Sequence, residues 1–225
     1  MSYILNLETS TKNCSVSIGR NGEIIALREL NNSGYSHAEK LHVFIEDVLQ
    51  EANLKSSDLA AVCVGKGPGS YTGLRIGVSA AKGLCFALDI PLLAIESLKI
   101  LATAITVEEG VVVPMLDARR LEVYSAVFSK ENEQIRETQA QIIDENSFQD
   151  YLAKGKVYFL GDGAEKCKEI IQHENAIFVD GKFPSAQEMV PLSYVKQQKS
   201  DTEDVAYFEP FYLKDFVGTK PKKRK

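Results

Sequence analysis

The residues with the clearest chemical pattern form one run, Gly65-Lys66-Gly67-Pro68-Gly69-Ser70-Tyr71-Thr72-Gly73-Leu74-Arg75-Ile76-Gly77, between a continuous apolar stretch and a helix start. At such a junction unsatisfied backbone N–H groups and the positive dipole end attract anions, and glycine lets a ligand approach the backbone. The spacing breaks G-x-G-x-x-G at its third glycine and does not match G-x-x-x-x-G-K-[ST]. Two readings stand side by side: a tight structural turn, or an anion or nucleotide loop formed by Gly67, Gly69, Ser70, Thr72 and Gly73. The next helix carries Gly73, Gly77, Ala81 and Cys85 at every fourth residue, one row of small side chains. Interior glycines cost about 1 kcal/mol each against alanine, so the row predicts close approach of another element, from this chain or from a partner.

Other chemistry is sparse. Leu5-Asn6-Leu7-Glu8-Thr9-Ser10 puts a carboxylate and two hydroxyls at a strand end, which reads either as a capped polar turn or as a turn facing nucleotide phosphates and metal. His37 and His42 are five apart, off the i,i+4 spacing of a helical metal pair, and His173 is remote. No Ser or Cys sits in a G-x-S-x-G elbow, and Asp117-Ala118-Arg119-Arg120 reads as a charged turn, with a ligand contact as the lesser reading. Cys14, Cys63, Cys85 and Cys167 are far apart in apolar stretches, the pattern of buried free thiols rather than a disulfide or zinc framework.

The elements that must position these residues are set out by periodicity. Strands are predicted at 3–8, 15–19 and 23–30, the last two joined by the hairpin signal Asn21-Gly22. A helix near 37–52 has Leu41, Ile45, Val48 and Leu49 at helical spacing, and 59–64 is an apolar strand buried on both faces. The helix after the glycine run extends to about Leu88, then come a strand at 91–95 and a helix from Ser97 to about Ala104. The order then recurs: strands at 111–116, 122–128 and 134–141, a short helix near Ser147, a strand at 157–160, a helix at 164–172, a strand at 176–179, and a last helix at 186–198 interrupted by Pro191. Duplication of β-β-β-α-β-α-β-α predicts an α/β protein of actin-like architecture with two lobes. The expected boundaries are 1–105, 106–205, a closing segment 206–219 and a disordered basic tail 220–225.

Composition excludes other classes. Of 225 residues 44% are hydrophobic and 25% charged, as in an ordinary globular protein, and no apolar run approaches the roughly 20 residues of a membrane span. The start lacks a signal-peptide pattern, so a cytoplasmic location is expected. The net charge of −5 includes five basic residues among the last six, leaving 21 basic against 31 acidic side chains, −10, for the body. Such a body lacks the basic footprint of a duplex-binding protein.

With these elements in place the chain resembles the TsaB (YeaZ) family. Gly67-Pro68-Gly69-Ser70-Tyr71-Thr72-Gly73-Leu74-Arg75-Ile76-Gly77 is similar to the family signature. Leu7-Glu8-Thr9-Ser10, Ser36-His37, Pro91-Leu92-Leu93-Ala94-Ile95-Glu96-Ser97-Leu98, Leu116-Asp117-Ala118-Arg119-Arg120-Leu121-Glu122-Val123-Tyr124 and a closing Pro210-Phe211-Tyr212-Leu213-Lys214 occur in the family's order, over nearly the whole chain. The chain departs from the family at Glu8, usually aspartate, and at Lys214, usually arginine.

The resemblance implies a part in making N6-threonylcarbamoyladenosine at position 37 of tRNA, as a relative and partner of TsaD, an actin-fold metalloenzyme. Ser97 and Leu101 stand where TsaD-like sequences have the two histidines of a metal pair, and neither supplies an imidazole nitrogen. The resemblance therefore implies a non-catalytic subunit with no catalytic residue and no metal of its own. It would form a heterodimer with TsaD, join TsaE in a larger complex, meet tRNA through that complex, and form a homodimer when alone. ATP or ADP at the subunit interface is the cofactor it allows, and no membrane is involved. Pairing is placed on the helices starting near His37 and Tyr71, with Leu41, Phe44, Ile45, Val48, Gly77 and Ala81 as candidate contacts, some of those on the first helix necessarily facing the chain's own sheet. The alternative is an actin-like nucleotide-binding protein or weak ATPase; the glycoprotease label once given to relatives is disfavoured.

Overall fold

Strand β1 (Tyr3–Glu8), β2 (Asn13–Arg20) and β4 (Leu59–Gly67) are buried along almost their whole length, so the sheet they share must be covered on both faces. The computed structural model describes residues 2–31 and 37–214, and shows that cover. Ser36 and the basic segment 220–225 lie outside the described residues. With the edge strands β3 (Glu23–Asn31) and β5 (Leu92–Glu96) the order is β3-β2-β1-β4-β5, in which β1 runs antiparallel to β2 and parallel to β4. The two-residue period sends Leu5, Leu7, Val62 and Val64 to one face, where α1 (His37–Glu51) and α2 (Tyr71–Leu88) pack. It sends Ile4, Ala61 and Cys63 to the other.

The second sheet repeats this plan. Strands β6 (Val111–Asp117), β7 (Glu122–Ser129), β8 (Gln134–Ile142), β9 (Val157–Leu160) and β10 (Ala176–Val179) lie in the order β10-β9-β6-β7-β8, the same arrangement counted from the first strand of each half. The molecule is thus a two-lobed α/β protein of actin-like architecture. Helix α3 (Ser97–Ala102) wedges between the sheets: Ile100 packs on the first, while Leu98, Leu101 and Ala102 join Val112, Leu116 and Phe128 of the second.

Two features differ from expectation. The helix expected at 164–172 is a single 3-10 turn, Glu165–Cys167. There the Lys166 ammonium reaches the β6–β7 turn and Lys168 reaches Asp180, tertiary ties that override helix propensity. The short helix expected near Ser147 is α4 (Gln149–Leu152). Helix α5 (Ala186–Gln198), which the 106–205 boundary places in the second lobe, lies against the first sheet and closes its other face through Ala186 and Met189. Two buried serines on β2 secure it: Ser17 Oγ donates to Ala186 O at 2.7 Å, and Ala186 N–H donates to Ser15 Oγ at 2.9 Å. Pro191 sits within this helix without ending it.

Candidate functional site

The glycine row has an internal partner. The turn after β1 runs under the start of α2, where Ser70 N–H donates to Ser10 O at 2.6 Å and Thr9 Oγ1 donates to Gly73 O at 2.8 Å. A Cβ at Gly69 would lie 2.3 Å from Ser10 O, at Gly73 2.1 Å from Thr9 O, and at Gly77 2.3 Å from Thr9 Oγ1. The small residues therefore admit this chain's own turn. Glu8 is fully buried beneath Gly65, its carboxylate accepting Ser10 N–H at 2.6 Å, and burial pushes its carboxyl up. His37, the first residue of α1, closes the box by donating from Nε2 to Thr11 O at 2.7 Å, and burial lowers its pKa. Neither Glu8 nor Thr9 can face a ligand without unpacking the lobe.

Outside this box a cleft of about 630 Å³ separates the lobes. Gly69, Ser70 and Thr72 of the expected loop line it, whereas Gly67 and Gly73 turn to internal neighbours, Gly67 toward Leu74 and Phe211 O. Ser70 caps α2 by accepting Gly73 N–H at 3.3 Å. The opposite wall is the β6–β7 turn. Arg119 and Arg120 both adopt left-handed backbone, with φ of 71° and 55°. Asp117 accepts Arg119 N–H at 3.0 Å, and the Lys166 ammonium, paired with Asp117, donates to Arg120 O and Glu122 O at 2.7 Å each. Asp162 accepts Asp117 N–H at 3.0 Å, and desolvation raises its carboxyl. The C-terminal strap 203–214 crosses the mouth: Phe211 N–H donates to Lys66 O at 2.7 Å, Tyr212 packs on Tyr71 with ring centroids 4.9 Å apart, and Lys214 pairs with Glu122.

Most of the expected partner contacts are buried in this chain's own core. Leu41, Ile45 and Val48 point inward from α1 into the core of the first sheet, and Phe44 packs against the same core half-buried. Gly77 meets Thr9, and Ala81 is buried. An amphipathic stripe marks the face a helix needs for its own sheet, and here it covers this chain's own core. The outward face of α2 carries Thr72, Arg75, Ser79, Gly83 and Phe86, the last 84% exposed, and α1 also exposes Val43.

Ser97 and Leu101, which the resemblance aligns with a TsaD-type metal pair, are both buried in α3, and a hydroxyl and an isobutyl group do not suit a transition metal. Among the described residues no three His, Cys, Asp or Glu cluster to hold a metal ion, and no helix is long and apolar enough to cross a membrane. All four cysteines are buried free thiols, with Cys14, Cys85 and Cys167 pushed up to about 11 by desolvation.

Comparison with known proteins agrees with this architecture. The family model "TsaD: tRNA N6-adenosine threonylcarbamoyltransferase" matches residues 31–221. The tRNA threonylcarbamoyladenosine biosynthesis protein TsaB of Bacillus subtilis is 30% identical over 221 residues, 94% of this chain and 93% of that protein. Its Escherichia coli counterpart is 28% identical over 228 residues, 96% of each chain. The solved structure of YeaZ from Pseudomonas aeruginosa superposes with a TM-score of 0.79 at 28% identity, covering 95% of this chain and 100% of that one. With relatives matched over nearly their full length and a shared two-lobed fold, the chain belongs to the TsaB (YeaZ) family of tRNA threonylcarbamoyladenosine biosynthesis proteins.

Proposed function

We propose that this chain is the non-catalytic subunit that dimerises with a TsaD-type protein and thereby supports threonylcarbamoyl transfer to adenosine 37 of tRNA in the cytoplasm. The observation that carries the reading is the outer face of α2: Gly83 leaves open space where a Cβ would stand, and Phe86 nearly one turn on is 84% exposed. A bare helix surface beside a large exposed ring accepts another helix closely and offers it an anchor. Binding the competent form of the partner stabilises that form by mass action, so no chemistry is required of this chain. Left alone, the same face would close a homodimer. A TsaE-type ATPase joins the pair in the larger complex, and tRNA meets this chain through the assembly.

The test is light scattering on a sizing column with the TsaD-type protein of the same organism. A 1:1 species is expected, and Phe86→Asp should abolish it without lowering Tm, since the side chain is exposed. Two unshifted peaks, with and without nucleotide and the TsaE-type protein, would sink the reading. The cleft favours a second reading, ATP or ADP bound between Ser70–Thr72 and the β6–β7 turn. Calorimetric titration of nucleotide into the isolated chain separates the two, because the subunit reading requires no binding there.

A further inference from the structure

We propose that the C-terminal strap is a second arm of the docking surface, and that its turn 203–209 receives an arginine or lysine of the TsaD-type subunit over the ring of Tyr207. This rests on the reading that α2 meets that subunit. The strap lies antiparallel along α2: Tyr212 stacks at the helix start on Tyr71, and three turns on the Lys82 ammonium donates to Ala206 O at 3.1 Å and to Phe208 O at 2.9 Å. A body seated on Ser79, Gly83 and Phe86 is therefore carried onto the neighbouring turn.

That turn is firmly held. The Asp204 carboxylate accepts the N–H groups of Ala206 at 2.8 Å and Tyr207 at 3.1 Å, Phe208 N–H donates to Asp204 O at 2.8 Å, and Glu203 N–H donates to Leu92 O at 2.9 Å on the edge of β5. Val205 and Phe208 pack inward on the core of the first sheet, yet Tyr207 between them is 85% exposed. It and Phe86 are the two most exposed large apolar side chains among the described residues. A backbone fixed on both sides of a solvated ring presents an anchor that loses little entropy on binding.

The chemistry of the occupant is dictated by the surroundings of the ring. Beside Tyr207 lies a cavity of about 540 Å³ whose wall includes the carboxylates of Glu96, Glu203, Asp204 and Glu209. The one basic lining residue, Lys66, stands 3.7 Å from Glu96. A cation placed over the ring gains from its quadrupole and from the surrounding negative charge together, whereas an RNA backbone is repelled. Neither helix periodicity nor the glycine row points here, because the turn joins α2 through a contact between residues 124 positions apart, Lys82 and Ala206.

The experiment measures Kd between full-length chain and TsaD-type subunit for wild type, Phe86→Asp, Tyr207→Ala, Tyr207→Phe and the pair Glu203→Lys with Glu209→Lys. Tyr207→Ala is expected to weaken binding about 30-fold, as a hot-spot ring does, with Tm unchanged. Tyr207→Phe keeps the ring and should bind within about threefold of wild type. The charge-reversed pair should weaken binding at low salt, and the deficit should shrink as ionic strength rises. If Phe86→Asp abolishes binding while Tyr207→Ala and the charge-reversed pair bind as wild type, α2 docks and the strap does not, and the inference falls alone. If wild type itself does not bind, the docking reading fails and the inference with it.

Discussion

The two lobes carry equivalent hairpin turns, one between β1 and β2 and one between β6 and β7, and they are finished in opposite ways. In the first lobe Thr9, Ser10 and Thr11 are buried, roofed by the glycine row of α2 and tied to His37. In the second, Arg119, Arg120 and Leu121 are exposed, no long helix covers them, and the turn is propped from beneath by Lys166. The sequence order of strands is the same, so the difference comes from the element after the fourth strand: an 18-residue helix after β4, a 3-10 turn after β9. The first lobe has become a sealed packing unit and the second keeps an open, charged rim facing the cleft.

The largest expected effect lies in the sealed turn. Gly73→Ala would drive a methyl group to 2.1 Å from the Thr9 carbonyl oxygen, a backbone atom that cannot swing aside. Overpacking of this kind should cost about 3 kcal/mol in urea unfolding. On the exposed face of the same helix Gly83→Ala meets open space and should stabilise the isolated chain by about 1 kcal/mol through helix propensity. Equal signs for the two variants would break the distinction between the inner and outer faces of α2.

The open turn should answer to its prop. Lys166→Met removes the ammonium that bridges Asp117, Arg120 O and Glu122 O, and about 2 kcal/mol of stability should go with it. Hydrogen exchange at Arg119 to Leu121 should rise more than exchange in β1 and β2. A uniform rise over both lobes would mean that the second turn is not an independent element.

Much of this organisation was legible in the sequence, and the illegible parts share a cause. Strand burial in 59–64, the Asn21-Gly22 hairpin and the small-residue row all encode local geometry, and each stands where the periodicity predicts. The destination of α5 was not legible, because its place depends on hydroxyls of Ser15 and Ser17, 171 and 169 positions from Ala186. The same limit applies to the apolar face of α1. Leu41, Ile45 and Val48 show that α1 has an apolar side, but only the sheet they cover says whose core it is.

Acid and base act on the sealed turn from two sides. Burial lowers the pKa of His37, so the unfolded chain binds the proton more readily, and stability falls as pH drops below the ordinary value near 6.5. His37→Gln should flatten that acid limb of the Tm profile. Burial raises the carboxyl of Glu8 from 4.5, so its contribution is present below that value and is lost as pH rises through the folded pKa. Glu8→Gln should therefore gain on wild type toward alkaline pH. Unchanged slopes in both variants would remove the claim that the turn is sealed from water.

The smallest effect is expected at the exposed rim. Left-handed backbone costs a non-glycine residue about 1–2 kcal/mol, and Arg120 holds φ at 55°. Glycine relieves that cost but gains entropy in the unfolded chain, about 0.5–1 kcal/mol, so Arg120→Gly should leave the protein equally stable or more stable by less than about 1 kcal/mol. Among the described residues neither Arg119 nor Arg120 forms an ion pair, so the guanidinium itself contributes little to the folded chain. A loss above about 1 kcal/mol would mean that the arginine side chain holds the turn in place. The rim would then be a packed structure like the turn of the first lobe, and the contrast between the two would reduce to exposure alone.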